Sequence, residues 1–358
     1  MSATGSKKLR FALIGAGGIA KRHLDAMKAM SDEVEIVAIA DVSTKALVER
    51  SKEYGIADSA CFTDYEEMLA KIKPDAVSIC TPNGLHAPNS IAASKAGAHV
   101  IVEKPMAMNA NEAKEMIAAA KATGKSLVIG FQYRFDPRTQ YLKRAVDDGM
   151  MGDLIFGRVQ ANRRRGIPNW GVFGRKELQG GGPMIDIGVH MLEQCHYVMG
   201  SPKPVAATGM CRTYIGDQPS DKIHAPWGSW DYKTYTVEDL AVGSIRFENG
   251  ATIHIEATFA AHTEDKMGFE VMGTKGGGTW EDPTIRTDDH GHMLDIKPGW
   301  IQKIEFAEFF GVKLRNFVDH VVHGKPSMAP AEHGLMVQQM LDGVYQSAEQ
   351  GGKEVAID

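Results

Sequence analysis

Short apolar runs alternate with longer stretches that are apolar on one side only through the first third of the chain. LRFALI, Leu9–Ile14, breaks into glycines and is followed by the amphipathic KRHLDAMKAM. VEIVAIA, Val34–Ala40, ends at Asp41, and STKALVERSKEYG reads as a helix with Ser43 as N-cap and Gly55 as its stop. CFTDYEEMLAKIKP supplies a short strand and a helix ended by Pro74. DAVSICTPN, HVIVEKP and SLVIGFQYR read as strands, with APNSIAASKAGA and NEAKEMIAAAKATG as helices between them. Such alternation predicts a parallel sheet with helices on both faces.

Beyond residue 136 the alternation stops. GDLIFGRVQANRRRG is strand-like, and YTVEDLAVGSIRFENGATIHIEATFA reads as two antiparallel strands joined at Asn249-Gly250. Strand following strand without a helix between them predicts an α+β domain. The stretch 216–234, GDQPSDKIHAPWGSWDYKT, is rich in Gly, Pro and polar residues and predicts a loop; no internal repeat stands out. A chain of 358 residues exceeds one ordinary hydrophobic core, so two domains are expected, 1–135 and 136–358.

Composition changes this picture little. Charged and apolar fractions of 24% and 43% are those of a globular protein, and a net charge of -5 argues against a nucleic-acid partner, which wants a basic face. Cys61, Cys80, Cys195 and Cys211 form no CxxC pair, so a reducing compartment fits better than a disulfide framework or a zinc ribbon. The N-terminal MSATGSKK lacks the apolar core of a signal peptide, and no apolar stretch approaches the roughly 20 residues of a membrane span. A cytoplasmic protein without a membrane partner is expected.

The glycines carry the first chemistry. Gly15, Gly17 and Ala20 make a GxGxxA between the first strand and the first helix. In that context Gly15 permits the turn, Gly17 lets a pyrophosphate approach the backbone, and Ala20 allows close helix–strand packing. With Gly18 and Ile19 they would set the phosphates on a helix N-terminus, whose amides and dipole favour anions. Taken alone such a pattern marks only a tight turn. The strand–turn–helix setting and Asp41 at the end of the second strand raise it to a dinucleotide site. An Asp41 carboxylate that accepts from the ribose hydroxyls repels a 2′-phosphate, which favours NAD over NADP. Lys45 and Arg50 lie nearby in sequence and leave NADP open, and Asp41 could instead cap the helix before Ser43. Ligands of open α/β sheets collect at the carboxyl ends of the strands. Thr81, Asn83 and His86 follow one such end, and Glu103 and Lys104 another, where a charged residue is expected to face the crevice.

EKP at residues 103–105, TPNGLH at 81–86 and the upstream GxGxxA together resemble the glucose–fructose oxidoreductase / inositol dehydrogenase (Gfo/Idh/MocA) family. GFQYRFDP, the glycine-rich GGGPMIDIGVHMLE at 180–193, FENGATIHIEATF, VMGTKGGGTW and the C-terminal GLMVQQMLDGVYQSAEQG extend the resemblance over nearly the whole chain. It implies an N-terminal Rossmann doubly wound parallel sheet plus a C-terminal α+β domain with an open, largely antiparallel sheet. It also implies an NAD-dependent dehydrogenase acting on a secondary alcohol or ketone of a sugar, sugar derivative or cyclitol. A homo-oligomer, dimer or tetramer, goes with it. Lys104 then contacts the substrate oxygen beside the nicotinamide, with the Lys104–Pro105 bond expected cis; Thr81, Asn83, His86 and Glu103 join the cofactor site. Without the other motifs, EKP would read as a solvated strand end stopped by proline.

Asp186 and His190 stand four apart in a predicted helix, which places them on one face. An imidazole there can act as acid or base near neutral pH while the carboxylate fixes its tautomer or bonds the substrate. The resemblance makes His190 the proton acceptor and Asp186 its partner, with Glu193 where many relatives carry an Asp. A structural hydrogen-bonded pair is the plainer alternative. A metal site from Asp186, His190, Glu193 and His196 lacks any zinc signature, and no metal is expected. The preceding glycines 180–182 would let backbone approach a ligand. In NRRRGIPNWGVF, strand alternation sets Asn162 and Arg164 on one face, and Arg164 with Trp170 is expected in the substrate region, against the alternative of a solvated charge run. Two other functions remain for this fold: a redox-assisted glycosidase on retained NAD, and a non-catalytic sugar-binding regulator.

Overall fold

The structure, a computed structural model, describes residues 8–219 and 225–358. The polar N-terminal stretch through residue 7, and residues 220–224 of the predicted loop, lie outside the described residues. The strands in chain order are β1 Leu9–Ile14, β2 Val34–Ala40, β3 Cys61–Phe62, β4 Ala76–Ile79, β5 His99–Val102, β6 Leu127–Ile129, β7 Leu154–Asn162, β8 Pro204–Arg212, β9 Leu240–Phe247, β10 Thr252–Thr258, β11 Lys266–Gly273, β12 Gly276–Thr279, β13 Thr284–Asp289, β14 His292–Ile296 and β15 Val355–Ala356. The α-helices are α1 Gly18–Ala29, α2 Thr44–Tyr54, α3 Tyr65–Ile72, α4 His86–Lys95, α5 Ala110–Thr123, α6 Pro137–Asp147, α7 Lys176–Gln179, α8 Val189–Val198, α9 Glu308–His323 and α10 Ala331–Glu349. They belong to two compact units, one of Met1–Gln132 with Ile304–Gly334 and one of Tyr133–Lys303 with Leu335–Asp358.

The first unit is built on a six-stranded parallel sheet in the order β3-β2-β1-β4-β5-β6. Its strands are mostly apolar because both faces are covered: Phe11, Leu13, Ile39, Val77, Ile79, Val100 and Ile101 are buried. Register brings Ile14, Ala40, Ile79 and Val102 to one edge. The loops that begin at Gly15, Asp41, Cys80 and Glu103 therefore leave the sheet side by side, around the point where the strand order reverses. Helix ends follow the sequence signals: Ser43 Oγ accepts from Ala46 N, Asp64 caps α3 and Asn109 caps α5.

Residues 304–334, beyond the division at 135/136, belong to this first unit. The physical reason is apolar cover. In α9, Phe317 packs on Phe11 with ring centroids 5.5 Å apart, and Phe310 meets His23 at 5.6 Å. Ile129 N donates to Ala329 O (3.0 Å), which pairs the otherwise open edge of β6.

The second unit carries a nine-stranded sheet, β14-β13-β12-β11-β7-β10-β9-β8-β15. Among the described residues only β7 and β10 pair in parallel; the other pairs of this sheet are antiparallel. β9 and β10 form the hairpin expected at Asn249-Gly250. Along β10 the buried Ile253, Ile255 and Ala257 alternate with more accessible neighbours, the signature of a sheet covered on one face. Helix α8 packs on β7 and β11, α6 packs on α8, and Val344 of α10 fits against Gly209 and Gly243.

Candidate active site

The turn after β1 is shaped for an anion. Gly15 has φ +97°, and a Cβ there would lie 2.6 Å from Cys80 O, so only glycine fits. Helix α1 begins at N-cap Gly17 with no side-chain cap and no acidic residue in its first turn, and the space beside Gly17 and Gly18 is open. Ala20 is buried against the sheet. An uncapped N-terminus with an open approach fits a pyrophosphate. Asp41 anchors the neighbouring loop: Oδ2 accepts from Ala16 N (2.7 Å) and Oδ1 from Ser43 N (2.7 Å). Capping of α2 itself falls to Ser43. Each carboxylate oxygen keeps a further lone pair, so this fixed Asp41 can still accept from a ribose diol.

Thr81 Oγ1 donates to Asn89 Oδ1 (3.1 Å), and Asn83 is buried. His86 is fully buried, with Nδ1 2.7 Å from Pro105 O and Nε2 3.0 Å from Thr81 O. Its ring lies between the 81–86 loop and the turn after β5, and burial pulls its pKa below the ordinary value. Both ring nitrogens thus face backbone carbonyls.

Glu103, expected to face the crevice, is buried. Its carboxylate faces inward, to His23 Nε2 (2.7 Å) and to the Lys313 ammonium of α9. Ser78 Oγ lies 2.6 Å from His23 Nδ1 and completes the chain. Burial works to raise the Glu103 pKa, but Lys313 and the hydrogen-bonded His23 outweigh it and hold the carboxyl well below the usual range. His23 falls to about 4, chiefly through burial and then through the Lys313 charge. A carboxylate that must be satisfied this completely cannot face an open crevice. Lys104, the next residue, is half-buried, and the Lys104–Pro105 bond is cis.

In the second unit the DxGxH stretch is not a plain α-helix. Met184–Gly188 is a π-helical turn, and α8 follows from Val189. Such turns are frequent at functional sites. Through residues 181–196 every position is buried except Asp186 and His190, so the face they share is the accessible one. The glycines before them serve packing: a Cβ on Gly181 would meet the Tyr345 hydroxyl at 2.1 Å, and one on Gly182 would meet Glu238 O at 2.3 Å. Their close approach is to the protein itself, not to a ligand. Glu238 then fixes the turn by accepting from Gly182 N (2.9 Å), Met184 N (3.3 Å) and Tyr345 Oη (2.8 Å). Burial raises its pKa above the ordinary value.

His190 is framed from two sides. Tyr133 stands edge-on to its ring with centroids 5.0 Å apart, and the His190 carbonyl accepts from Gln194 Nε2 (2.7 Å). Gln194 is held in turn by Thr139 Oγ1 (2.8 Å), which Trp280 Nε1 also reaches (3.0 Å). Glu193 and His196 turn to the interior. Glu193 accepts from Arg134 Nε (2.7 Å), and burial still raises its pKa to about 7; His196 Nε2 meets Pro202 O (2.8 Å).

The arginine that feels the charge of Asp186 is Arg163. Arg164 is exposed, with its backbone N–H on Asp265 Oδ1 (2.6 Å). Arg163 is half-buried; burial lowers its pKa while Asp186 and then Asp265 act to raise it. Its guanidinium lies 4.6 Å from the Trp227 ring centre. Trp170, the other expected substrate residue, packs on Trp227 with centroids 5.2 Å apart. Tyr133, Trp227 and Glu238 were not singled out by sequence, and Arg163 entered only as a member of the NRRRG run. Tyr133 and Glu238 carry a local signal, in GFQYRFDP and YTVEDLA.

Residues 9–131 match the description "Oxidoreductase family, NAD-binding Rossmann fold", and residues 143–357 match its C-terminal alpha/beta domain. The chain belongs to the Gfo/Idh/MocA oxidoreductase family. A member of this family from Escherichia coli (strain K12), D-glucoside 3-dehydrogenase, is 37% identical over 98% of both chains. Levoglucosan dehydrogenase from Pseudarthrobacter phenanthrenivorans is 30% identical over 75% of this chain and 73% of its own. A levoglucosan dehydrogenase structure with NADH and levoglucosan superimposes with a TM-score of 0.81 at 25% identity, covering 98% of this chain and 100% of its own. The first unit of this Gfo/Idh/MocA member is thus an NAD-binding domain, and the chain is an NAD-dependent oxidoreductase.

Proposed function

We propose that this enzyme oxidises a ring secondary alcohol of a sugar or sugar glycoside to the ketone with NAD, or runs the reverse reduction. The observation that carries the reading is the accessible pair Asp186 and His190, alone in an otherwise buried run. Similarity along the whole chain to a D-glucoside 3-dehydrogenase supports a glycoside over a cyclitol.

In the oxidative direction His190 accepts the hydroxyl proton, as a neutral imidazole can near physiological pH. Asp186 orients that ring and the substrate. Lys104 stabilises the developing alkoxide with its ammonium, an interaction strongest in the transition state. Bound NAD supplies the hydride acceptor. Asp41 selects the unphosphorylated ribose, with Gly15, Gly17, Gly18 and Ile19 lining the phosphate turn and Thr81 and Asn83 the nicotinamide half. Arg164 is the weaker candidate for the substrate region, since Arg163 is the arginine whose charge couples to Asp186. The reading includes a cytoplasmic location and a homo-oligomer. In support of the former, four cysteines are free; among the described residues no helix is long and apolar enough to cross a membrane.

The test is a screen of sugars, methyl glycosides and inositols against NAD and NADP, followed at the NADH absorbance. Stoichiometric NADH from a sugar or glycoside is expected, with NAD preferred. Glycoside cleavage without net NADH would move the enzyme to the redox-assisted glycosidases, and no turnover of any substrate would contradict the reading.

A further inference from the structure

Two indoles, Trp170 and Trp227, have no task in the mechanism above. Trp170 is 54% exposed and Trp227 37%. Their ring centroids lie 5.2 Å apart at an interplanar angle of 48°, and Phe173 stands edge-on to Trp170 at 6.3 Å. Large aromatic rings gain much from burial, so two adjacent indoles left open to solvent form a surface that gains by being covered. Local structure holds them in place. The Asn169 side-chain amide donates to Trp227 O, and the Arg163 guanidinium lies over the Trp227 ring. Arg163 Nη1 donates to Gly166 O (3.2 Å), and its charge couples to Asp186. Arg163, which feels the Asp186 charge, thus packs on Trp227, and Trp227 on Trp170.

We propose that Trp170 and Trp227 form a second subsite, which holds the aglycone-side ring of a glycoside whose other ring is oxidised at His190. This rests on the function proposed above and names the class of glycoside: one with a second flat ring. A pyranose presents a C–H face to an indole and a rim of hydroxyls to polar neighbours. Arg163, with five donors in a planar fork, stands between the two ring positions and is placed to donate to oxygens on either side of the linkage. A wholly apolar ligand would cover the indoles but leave the Arg163 and Asp186 rim without use. An aromatic aglycone would stack equally well, so the experiment separates it from a sugar ring.

The experiment compares kcat/KM for a methyl glucoside, a phenyl glucoside and a glucosyl disaccharide of one anomeric configuration, with NAD. It uses the wild type, Trp170→Ala, Trp227→Ala and Trp227→Phe. In the wild type the disaccharide should exceed the methyl glucoside by roughly tenfold or more, the scale of one stacked ring. In both alanine variants that ratio should fall close to one, and Trp227→Phe, which keeps a ring, should retain part of it. A wild-type ratio near one, or a ratio that survives both alanine variants, overturns the subsite. Enhancement of the phenyl glucoside alone overturns the sugar ring as occupant. A Trp170→Ala variant that changes the oligomer by sedimentation but not the ratio makes the patch a self-association surface and overturns the proposal. Absence of NADH from all three substrates counts against the oxidation, not against the subsite. Calorimetric titration of the disaccharide into the NAD-bound enzyme reads the subsite separately. Affinity about tenfold weaker in Trp227→Ala supports the subsite; equal affinity, or no binding to the wild type, overturns it.

Discussion

Lys104 and Glu103 are adjacent in sequence and opposite in fate. One is accessible and the other is locked to His23 and Lys313. Lys104→Met keeps most of the stem and removes the charge. Turnover should fall by on the order of 10² or more, the scale of one lost electrostatic donor, while NAD affinity stays within roughly tenfold. Steady-state kinetics and a separate NAD titration check this; near-normal turnover would return EKP to a structural role. Asp41→Ser should narrow the preference for NAD over NADP, because the repelling carboxylate is gone. Measured Kd values for both cofactors decide it, and a wild type that binds NADP more tightly would contradict the Asp41 assignment. Sequence placed Lys104, Asp41, Asp186 and His190 from strand ends, spacing and resemblance. It chose Arg164 over Arg163 because strand alternation was carried past Asn162, where β7 ends. Beyond that point Arg163 N and O both bond to Thr258 Oγ1, and the alternation no longer sets which side chain turns inward. The inward Glu103 was missed because its partners, residues 23 and 313, are distant in sequence.

At the scale of elements, strands and caps of the first unit were legible because each carries its own signal: an apolar run, a capping Ser43, a stop at Gly55. The π-helical turn at Met184–Gly188 was not, since spacings of three and four read as α in either geometry. What sets that turn is Glu238, a long-range partner in the loop before β9. The buried chain Glu103–His23–Lys313 joins the end of β5 to α1 and α9. Removing one partner leaves an uncompensated buried charge, which typically costs about 3–5 kcal/mol. Glu103→Gln and Lys313→Met should each lower stability on that scale, and the double variant should lose less than their sum. Urea unfolding of the three variants tests this; strict additivity would show that the pair is not coupled.

For the whole molecule, the division at residue 135 followed the change in local pattern. It could not show that residues 304–334 return to the first unit, because that is decided by the apolar surface of α1 and β1 that α9 covers. The same return sets a pH dependence. His23 has a folded pKa of about 4, below its ordinary 6.5, so the unfolded chain binds its proton more tightly. Its contribution is full above about 6.5 and is lost as pH falls from there through about 4. Urea midpoints should drop across that window in the wild type, and His23→Gln should flatten part of the drop. An equal slope in both would assign the acid sensitivity to other groups.

His190 as the proton acceptor is tested most directly by the pH–rate profile of oxidation for the wild type and His190→Asn, with NAD binding measured alongside. A base works only when deprotonated, so wild-type kcat/KM should rise through an ionisation near neutrality. His190→Asn should lose that limb and fall by roughly 10²–10⁴-fold, the usual contribution of a positioned acid–base group, while NAD affinity stays nearly unchanged. A variant that keeps the wild-type profile would contradict the account and pass the proton to another group, Lys104 first.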